Sequence, residues 1–308
     1  MKIFVGILLT ELQLTRLESA TRGHELAYYP EANAAARKVF ADSDIAFGNP
    51  PADWIAEAKA LCWIQLESVG FGEYIGLNWH ELGQRLRISN LAGFFSEPVA
   101  ESILAGILSH YRGISRLALL QDKKQWMGEA LRPELRILQG ASVVFFGQGD
   151  INRRVAKLLA PFECTTTGFG QNWAAETLDR ALGDADITVC TVPHTSETRG
   201  LFDRKRIGKL KSGSLLVNAG RGSLVDEDAL AEALQSGALG GAVIDVTQDE
   251  PLPVEHRFWT CPNMLLTQHT GGGANDEVDR KIGVFLENFA RFQTGEKPSS
   301  IVDFQRGY

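Results

Sequence analysis

The chain has 308 residues and a formal net charge of −7; the length fits about two domains with a large buried core, and the charge argues against a nucleic-acid footprint. No Lys/Arg run of the kind that tracks phosphates is present, and no apolar run reaches membrane-spanning length. The four cysteines, Cys62, Cys164, Cys190 and Cys261, lie far apart without a CxxC pair, so neither a disulfide framework nor a metal site is expected, only buried thiols in a reducing cytoplasm.

Residues 1–10 are apolar, but they carry little basic character, no small-residue cleavage site follows and Glu11 comes at once, so a strand is expected there rather than a signal peptide. Short apolar runs at 3–8, 44–47 and 62–66 alternate with amphipathic stretches such as 52–60 and predict a small α/β unit. A helical pattern covers 99–119 behind Pro98, a residue suited to a helix start, and predicts a bridge between domains. Strands are then expected at 143–146, 164–168, 187–192, 214–218, 241–246 and 264–267, with segments of helical length between them. Six strands in that rhythm predict a doubly wound parallel sheet. Repeats and low-complexity tracts are absent.

The first of those six strands runs directly into Gly147-Gln148-Gly149-Asp150-Ile151 and then a helical pattern. Gly147 would permit a tight turn, Gly149 would let backbone approach a pyrophosphate, and the helix start would offer N–H donors and positive dipole. The plain alternative is an ordinary strand-to-helix turn. Asn152 stands at the usual third glycine, and Asn suits helix starts. The second strand ends at Gly170, where a carboxylate would normally bond the adenosine ribose, and neither Gln171 nor Asn172 offers a cation to a 2′-phosphate. The choice between NAD and NADP is open at this point. Arg153 and Arg154 lie close enough to assist either, or are simply solvated.

Arg221, Glu250 and His269 each follow a separate strand-like run downstream of the glycine pair. An arginine fork can hold a carboxylate and polarise a carbonyl. Histidine, whose ordinary pKa lies nearest neutrality, can give a proton to a developing alkoxide, and a glutamate on its second nitrogen would orient the ring and stabilise the imidazolium. A nicotinamide cofactor would supply hydride. Taken singly, each has a bland reading as a loop arginine, a surface acid or a satisfied histidine. Jointly they point to chemistry, because ligands in open α/β sheets gather at the carboxyl ends of strands. His24, His80, His110, His194 and His256 match no catalytic position and read as structural.

Three segments carry a resemblance. Leu216-Val217-Asn218-Ala219-Gly220-Arg221-Gly222-Ser223-Leu224-Val225-Asp226, Asp245-Val246-Thr247-Gln248-Asp249-Glu250-Pro251-Leu252-Pro253 and Pro262-Asn263-Met264-Leu265-Leu266-Thr267-Gln268-His269 resemble, in order, the arginine, glutamate and histidine segments of the D-isomer-specific 2-hydroxyacid dehydrogenase family. Gln268 replaces a usual proline. Asn90 ahead of Val99-Ala100-Glu101, Val192-Pro193 with Glu197-Thr198, and the ending Gly307-Tyr308 agree as well. The resemblance implies a Rossmann-type sheet inserted into a smaller, flavodoxin-like α/β domain: a substrate domain of residues 1–95 plus 275–308 and a dinucleotide domain of 96–274, with a homodimer interface at the 99–119 helix. It implies cofactor contacts at Gly147, Gln148, Gly149, Asp150, Ile151, Gly170, Val192, Pro193, Ala219, Gly220 and Gly272. Asp245 would face the nicotinamide amide, its alternative being a structural acid that bonds backbone. The amides of Val69 and Gly70 would join Arg221 and His269 in binding substrate, although Gly72 stands where an Asp is commoner. The expected reaction is reversible NAD(P)H-dependent reduction of a small 2-keto acid, such as glyoxylate, hydroxypyruvate or pyruvate, to its D-2-hydroxy acid. A dinucleotide-sensing interaction protein is the rival of another class, and formate or phosphite oxidation ranks lower because it would call for a different partner beside His269.

Overall fold

The computed structural model describes residues 1–304; the Gly307-Tyr308 ending lies outside the described residues. The chain divides into two compact units, Met1–Phe94 with the segment from Ala274 onward, and Phe95–Gly273.

The first unit runs β1 (Lys2–Val5), α1 (Glu11–Ala20), β2 (Glu25–Tyr28), α2 (Ala34–Ala41), β3 (Ile45–Phe47), α3 (Ala52–Ile55), β4 (Trp63–Gln65), α4 (Trp79–Leu82) and β5 (Arg87–Ser89). All pairings between these strands are parallel, and the order β2-β1-β3-β4-β5 is the flavodoxin-like one. The short strands β2 and β5 escaped the sequence reading because neither has an extended apolar run: Glu25 and Arg87 are exposed in them.

The second unit opens with α5 (Ser96–Tyr111) and α6 (Ile114–Asp122), then β6 (Ser142–Phe146), α7 (Asp150–Leu159), β7 (Thr165–Phe169), α8 (Ala175–Asp184), β8 (Ile187–Cys190), α9 (Arg204–Ile207), β9 (Leu215–Asn218), α10 (Glu227–Gln235), β10 (Gly241–Ile244) and β11 (Met264–Leu266). The single helix expected at 99–119 is two, because Gly113 adopts a left-handed φ of 63° and stops the first. The sheet order is β11-β10-β9-β8-β6-β7, all parallel. Both faces are covered, as parallel sheets require. Val143, Phe145, Val189 and Val217 pack with Ile103 and Ile107 of α5 and Val155 of α7; Val144, Phe146, Leu216 and Ile244 pack with Leu178 of α8 and Leu230 of α10. Each such side chain contributes about 1.5–3 kcal/mol on burial. β7 is the sheet's edge, and its Thr165–Gly168 stretch is exposed.

α11 (Glu277–Gln293) brings the chain back to the first unit. Its Ile282, Phe285 and Phe289 complete a core with Ile3, Val5, Ile45, Phe47 and Trp63, and buried Asn288 donates to Gln65 Oε1 at 2.8 Å. Cys190 and Cys261 are buried, Cys62 and Cys164 half-buried, and all four are free. Among the described residues no helix is long and apolar enough to cross a membrane, and no cluster of His, Cys, Asp or Glu could hold a metal.

Candidate active site

In the second unit the strand order turns around between β6 and β8, and there the carboxyl ends of the strands open a crevice. Gly147 leaves β6 with φ 108°, a conformation glycine adopts freely, and its N–H donates to Phe169 O at 2.8 Å. Gly149 then starts α7 with no side-chain cap, so the first amides of that ten-residue helix remain available as donors. A Cβ on Gly149 would meet nothing within 4 Å, while one on Gly147 would approach Thr191 Oγ1 and Val192 Cγ1 at 3.2 Å. Thr191 Oγ1 is buried without a hydrogen-bond partner among the described residues. An open, donor-rich cradle with an orphaned hydroxyl beside it fits a pyrophosphate. Asp150 and Ile151 form the first turn of α7, and Asp150 pairs with Arg153 at 2.7 Å. Asn152 does not leave this turn loose: it is buried, and its amide donates to Gly147 O at 2.8 Å and Phe146 O at 3.3 Å, tying helix to strand.

At the end of β7 the position of the usual ribose carboxylate is filled from another direction. Gln148 lays its side chain across the strand, donating Nε2 to Gly168 O at 2.9 Å, and a Cβ on Gly170 would come within 3.1 Å of Gln148 Oε1. Opposite, beyond β8, Val192 and Pro193 lead into a turn closed by Thr198, whose hydroxyl donates to Pro193 O at 2.7 Å. Gly220, after β9 and Ala219, lies so close to that segment that a Cβ would sit 2.7 Å from Val192 O.

Arg221 follows in extended backbone, φ −146°. Asn218 anchors the turn, donating Nδ2 to Arg221 O at 3.0 Å and accepting Gly220 N–H at 3.1 Å. The guanidinium donates to Gly220 O at 2.7 Å and has no carboxylate partner among the described residues. Glu250 is held by Thr247, whose N–H donates to Oε1 at 3.0 Å. Its Oε2 lies 2.7 Å from His269 Nδ1. Burial pulls the Glu250 carboxyl upward, but the His269 contact, the Thr247 amide and the charges of His269 and Arg221 outweigh it and hold the group below its ordinary range. His269 Nε2 has no partner among the described residues. The structure thus brings Arg221, Glu250 and His269 to one rim, from three different strand ends.

Gln268 and His269 both have positive φ, 52° and 55°. A proline at 268 is locked near −65° and could not enter this turn, so the departure from the family pattern is what the local backbone requires. The turn is secured by Asp245 at the end of β10. Its Oδ1 accepts from Thr267 Oγ1 at 2.5 Å, Gly271 N at 3.1 Å and Thr270 N at 3.2 Å, and its carbonyl accepts His269 N–H at 2.6 Å. Asp245 thus bonds this turn through Oδ1, while Oδ2 carries no hydrogen bond among the described residues. Gly272 closes the segment, where a Cβ would approach Phe95 Cδ1 at 3.0 Å. Sequence reasoning missed Thr247 and Thr267, and it named Gln148 only as a cofactor contact, without its bond across β7.

In the first unit, Val69 and Gly70 follow β4. Asn90 donates to Val69 O at 2.8 Å and Ser68 Oγ to Gly70 O at 2.7 Å, which fixes the loop through its carbonyls. The N–H groups of Val69 and Gly70 have no acceptor among the described residues, and the space beside Gly70 is open.

Residues 104–271 match the family model described as D-isomer specific 2-hydroxyacid dehydrogenase, NAD binding domain. The chain is 30% identical over 224 residues to a mitochondrial formate dehydrogenase of Solanum tuberosum, covering 68% of this chain and 58% of that enzyme. It is 27% identical over 268 residues to glyoxylate/hydroxypyruvate reductase B of Yersinia pestis, covering 82% of this chain and 81% of the relative. A solved D-isomer specific 2-hydroxyacid dehydrogenase family protein of Aeromonas salmonicida shares the fold, with TM-score 0.83, 24% identity, and coverage of 98% of this chain and 99% of that one. The strand order, the strand-end site and the matched domain agree: this chain belongs to the D-isomer specific 2-hydroxyacid dehydrogenase family, whose nucleotide-binding domain takes NAD.

Proposed function

We propose that the protein catalyses the reversible NAD(P)H-dependent reduction of a 2-keto acid to its D-2-hydroxy acid, glyoxylate, hydroxypyruvate and pyruvate being the simplest candidates. The observation that carries this reading is the 2.7 Å contact between His269 Nδ1 and Glu250 Oε2, which leaves Nε2 open on the rim that also bears Arg221. Bound NAD(P)H would supply the hydride. Arg221 binds the substrate carboxylate and polarises the carbonyl with a charged fork. His269 gives its Nε2 proton to the developing alkoxide, and Glu250 holds the ring and stabilises the imidazolium before transfer. In the oxidative direction the same nitrogen takes the hydroxyl proton back.

The cofactor is held by the cradle of Gly147, Gln148, Gly149, Asp150 and Ile151, flanked by Val192, Pro193, Ala219, Gly220 and Gly272, with Asp245 Oδ2 accepting from the carboxamide. Gly170 presents no carboxylate to repel a 2′-phosphate, so NADP competes with NAD. The formate dehydrogenase relative suggests formate as a substrate, but hydride loss from formate yields carbon dioxide directly and leaves no alkoxide to protonate. A histidine paired with a carboxylate is therefore better matched to a keto acid. Exposed Ile114, Leu117 and Leu119 on α6 support a homodimer.

The test is oxidation of NADH and NADPH by the purified protein against a panel of 2-keto acids, with formate and NAD or NADP in the reverse direction. Turnover with a keto acid is expected, and His269→Ala should lower kcat about 10²–10⁴-fold with cofactor affinity retained. Silence across the keto acids, with cofactor still bound, would favour a dinucleotide-sensing protein.

A further inference from the structure

Beside the Glu250–His269 pair lies a cavity of about 470 Å3. We infer that this cavity receives the side chain of the keto acid, so that the enzyme prefers acids with a branched or aromatic apolar substituent over glyoxylate. The inference rests on the reading above and specifies its substrate class.

Glu250 and His269, with Asp245, Thr247 and Gln268, form the polar side of the cavity, and Ile244, Pro251, Leu252, Trp259 and Leu266 form its apolar side. Ile244 is fully buried, and Leu252 and Leu266 pack against the same core as it does, so the floor is fixed. Trp259 is half exposed, yet its indole N–H donates to Pro253 O at 2.8 Å, which sets the ring in place. The volume lies within the range of small-molecule sites, about 300–1,000 Å3, and well above the roughly 150 Å3 apolar cavity that holds benzene. A keto acid bound at His269 would have this cavity next to it, with its apolar side available to a substituent. Glyoxylate leaves that space to water, whereas a substituent on C3 fills it. Burial of each further methylene should raise kcat/KM about fourfold, or roughly 60-fold from pyruvate to 4-methyl-2-oxopentanoate.

The experiment is kcat/KM for glyoxylate, pyruvate, 2-oxobutyrate, 4-methyl-2-oxopentanoate and phenylpyruvate with the intact protein, then with Leu252→Trp and Trp259→Ala. Efficiency is expected to climb along the series. Leu252→Trp, which fills the cavity, should cut the ratio of 4-methyl-2-oxopentanoate to pyruvate at least tenfold, and Trp259→Ala should flatten the series by removing a wall. A series that is flat or falls with size while small acids are reduced overturns the inference and leaves the reaction class standing. Variants that shift KM for the nicotinamide cofactor and leave the ratio unchanged overturn it too, because the cavity would then belong to the cofactor. Failure to reduce any keto acid overturns the reaction class itself.

Discussion

Gly222→Ala is the substitution for which the structure allows the sharpest estimate. A Cβ on Gly222 would lie inside 3.0 Å of the carbonyl carbon and oxygen of Thr247 and of the Gln248 nitrogen, whereas ordinary contact begins at 3.4 Å. All three are backbone atoms, so no side chain can swing aside. The two segments must separate by about 1.5 Å to reach a normal carbon contact distance. Thr247 is the residue whose N–H holds Glu250 Oε1, and Glu250 in turn holds His269. Separation at Gly222 therefore moves Arg221 away from the acid pair it works with. A misplacement of about 1 Å costs on the order of 10²-fold in rate, and overpacking costs roughly 1–3 kcal/mol of stability, a few degrees in Tm for a unit of this size. The assay is steady-state kcat with a reducible keto acid, alongside a thermal melt to show that the variant is folded. A folded variant with kcat within threefold of the parent would refute the argument, since the contact would then not position the site.

Arg221→Lys keeps the charge and loses the fork, so kcat/KM for keto acids should fall about 10–100-fold, the worth of one charged hydrogen bond, with NADH affinity unchanged; an unaltered kcat/KM would contradict its role. Gly170→Asp restores a carboxylate at the end of β7, displacing only the flexible Gln148 side chain, and should shift the NADH-to-NADPH affinity ratio toward NADH roughly tenfold; fluorescence titration with both cofactors reads this, and an unchanged ratio would place the adenosine ribose elsewhere. Asp186 gives the pH prediction. Burial pushes its carboxyl up, but Lys211 and the amide and hydroxyl of Ser142 more than compensate and leave it below the ordinary value. A depressed folded pKa contributes stability that is present above the unfolded value, about 3.9, and is lost as pH falls through the folded one. Urea midpoints should therefore drop below about pH 4, and Asp186→Asn should flatten that dependence; parallel curves for the two proteins would rule Asp186 out as its source.

The sequence by itself determined the strands that are apolar throughout. Every one of the six expected in the second unit is present: β6, β8, β9 and β10 are buried on both faces and so continuously hydrophobic, whereas the edge strand β7 is a threonine-rich extended run. It also indicated which residue types stand at strand ends, and so the combination of Arg221, Glu250 and His269. Polar edge strands such as β2 and β5 were invisible for the same reason in reverse. Only the tertiary structure decided the rest. α11 completes the first unit's core from the far end of the chain, and no local period in residues 277–293 says which sheet it covers. Gln148 occupies the space beside Gly170, Asp245 gathers the donors of the 267–271 turn, and Gly222 abuts Thr247. Each is a contact between residues at least twenty positions apart, set by the register of neighbouring strands and the path of the loops after them. Hydrophobic periodicity reports what a residue's own segment buries; it carries no record of which distant backbone will lie against it.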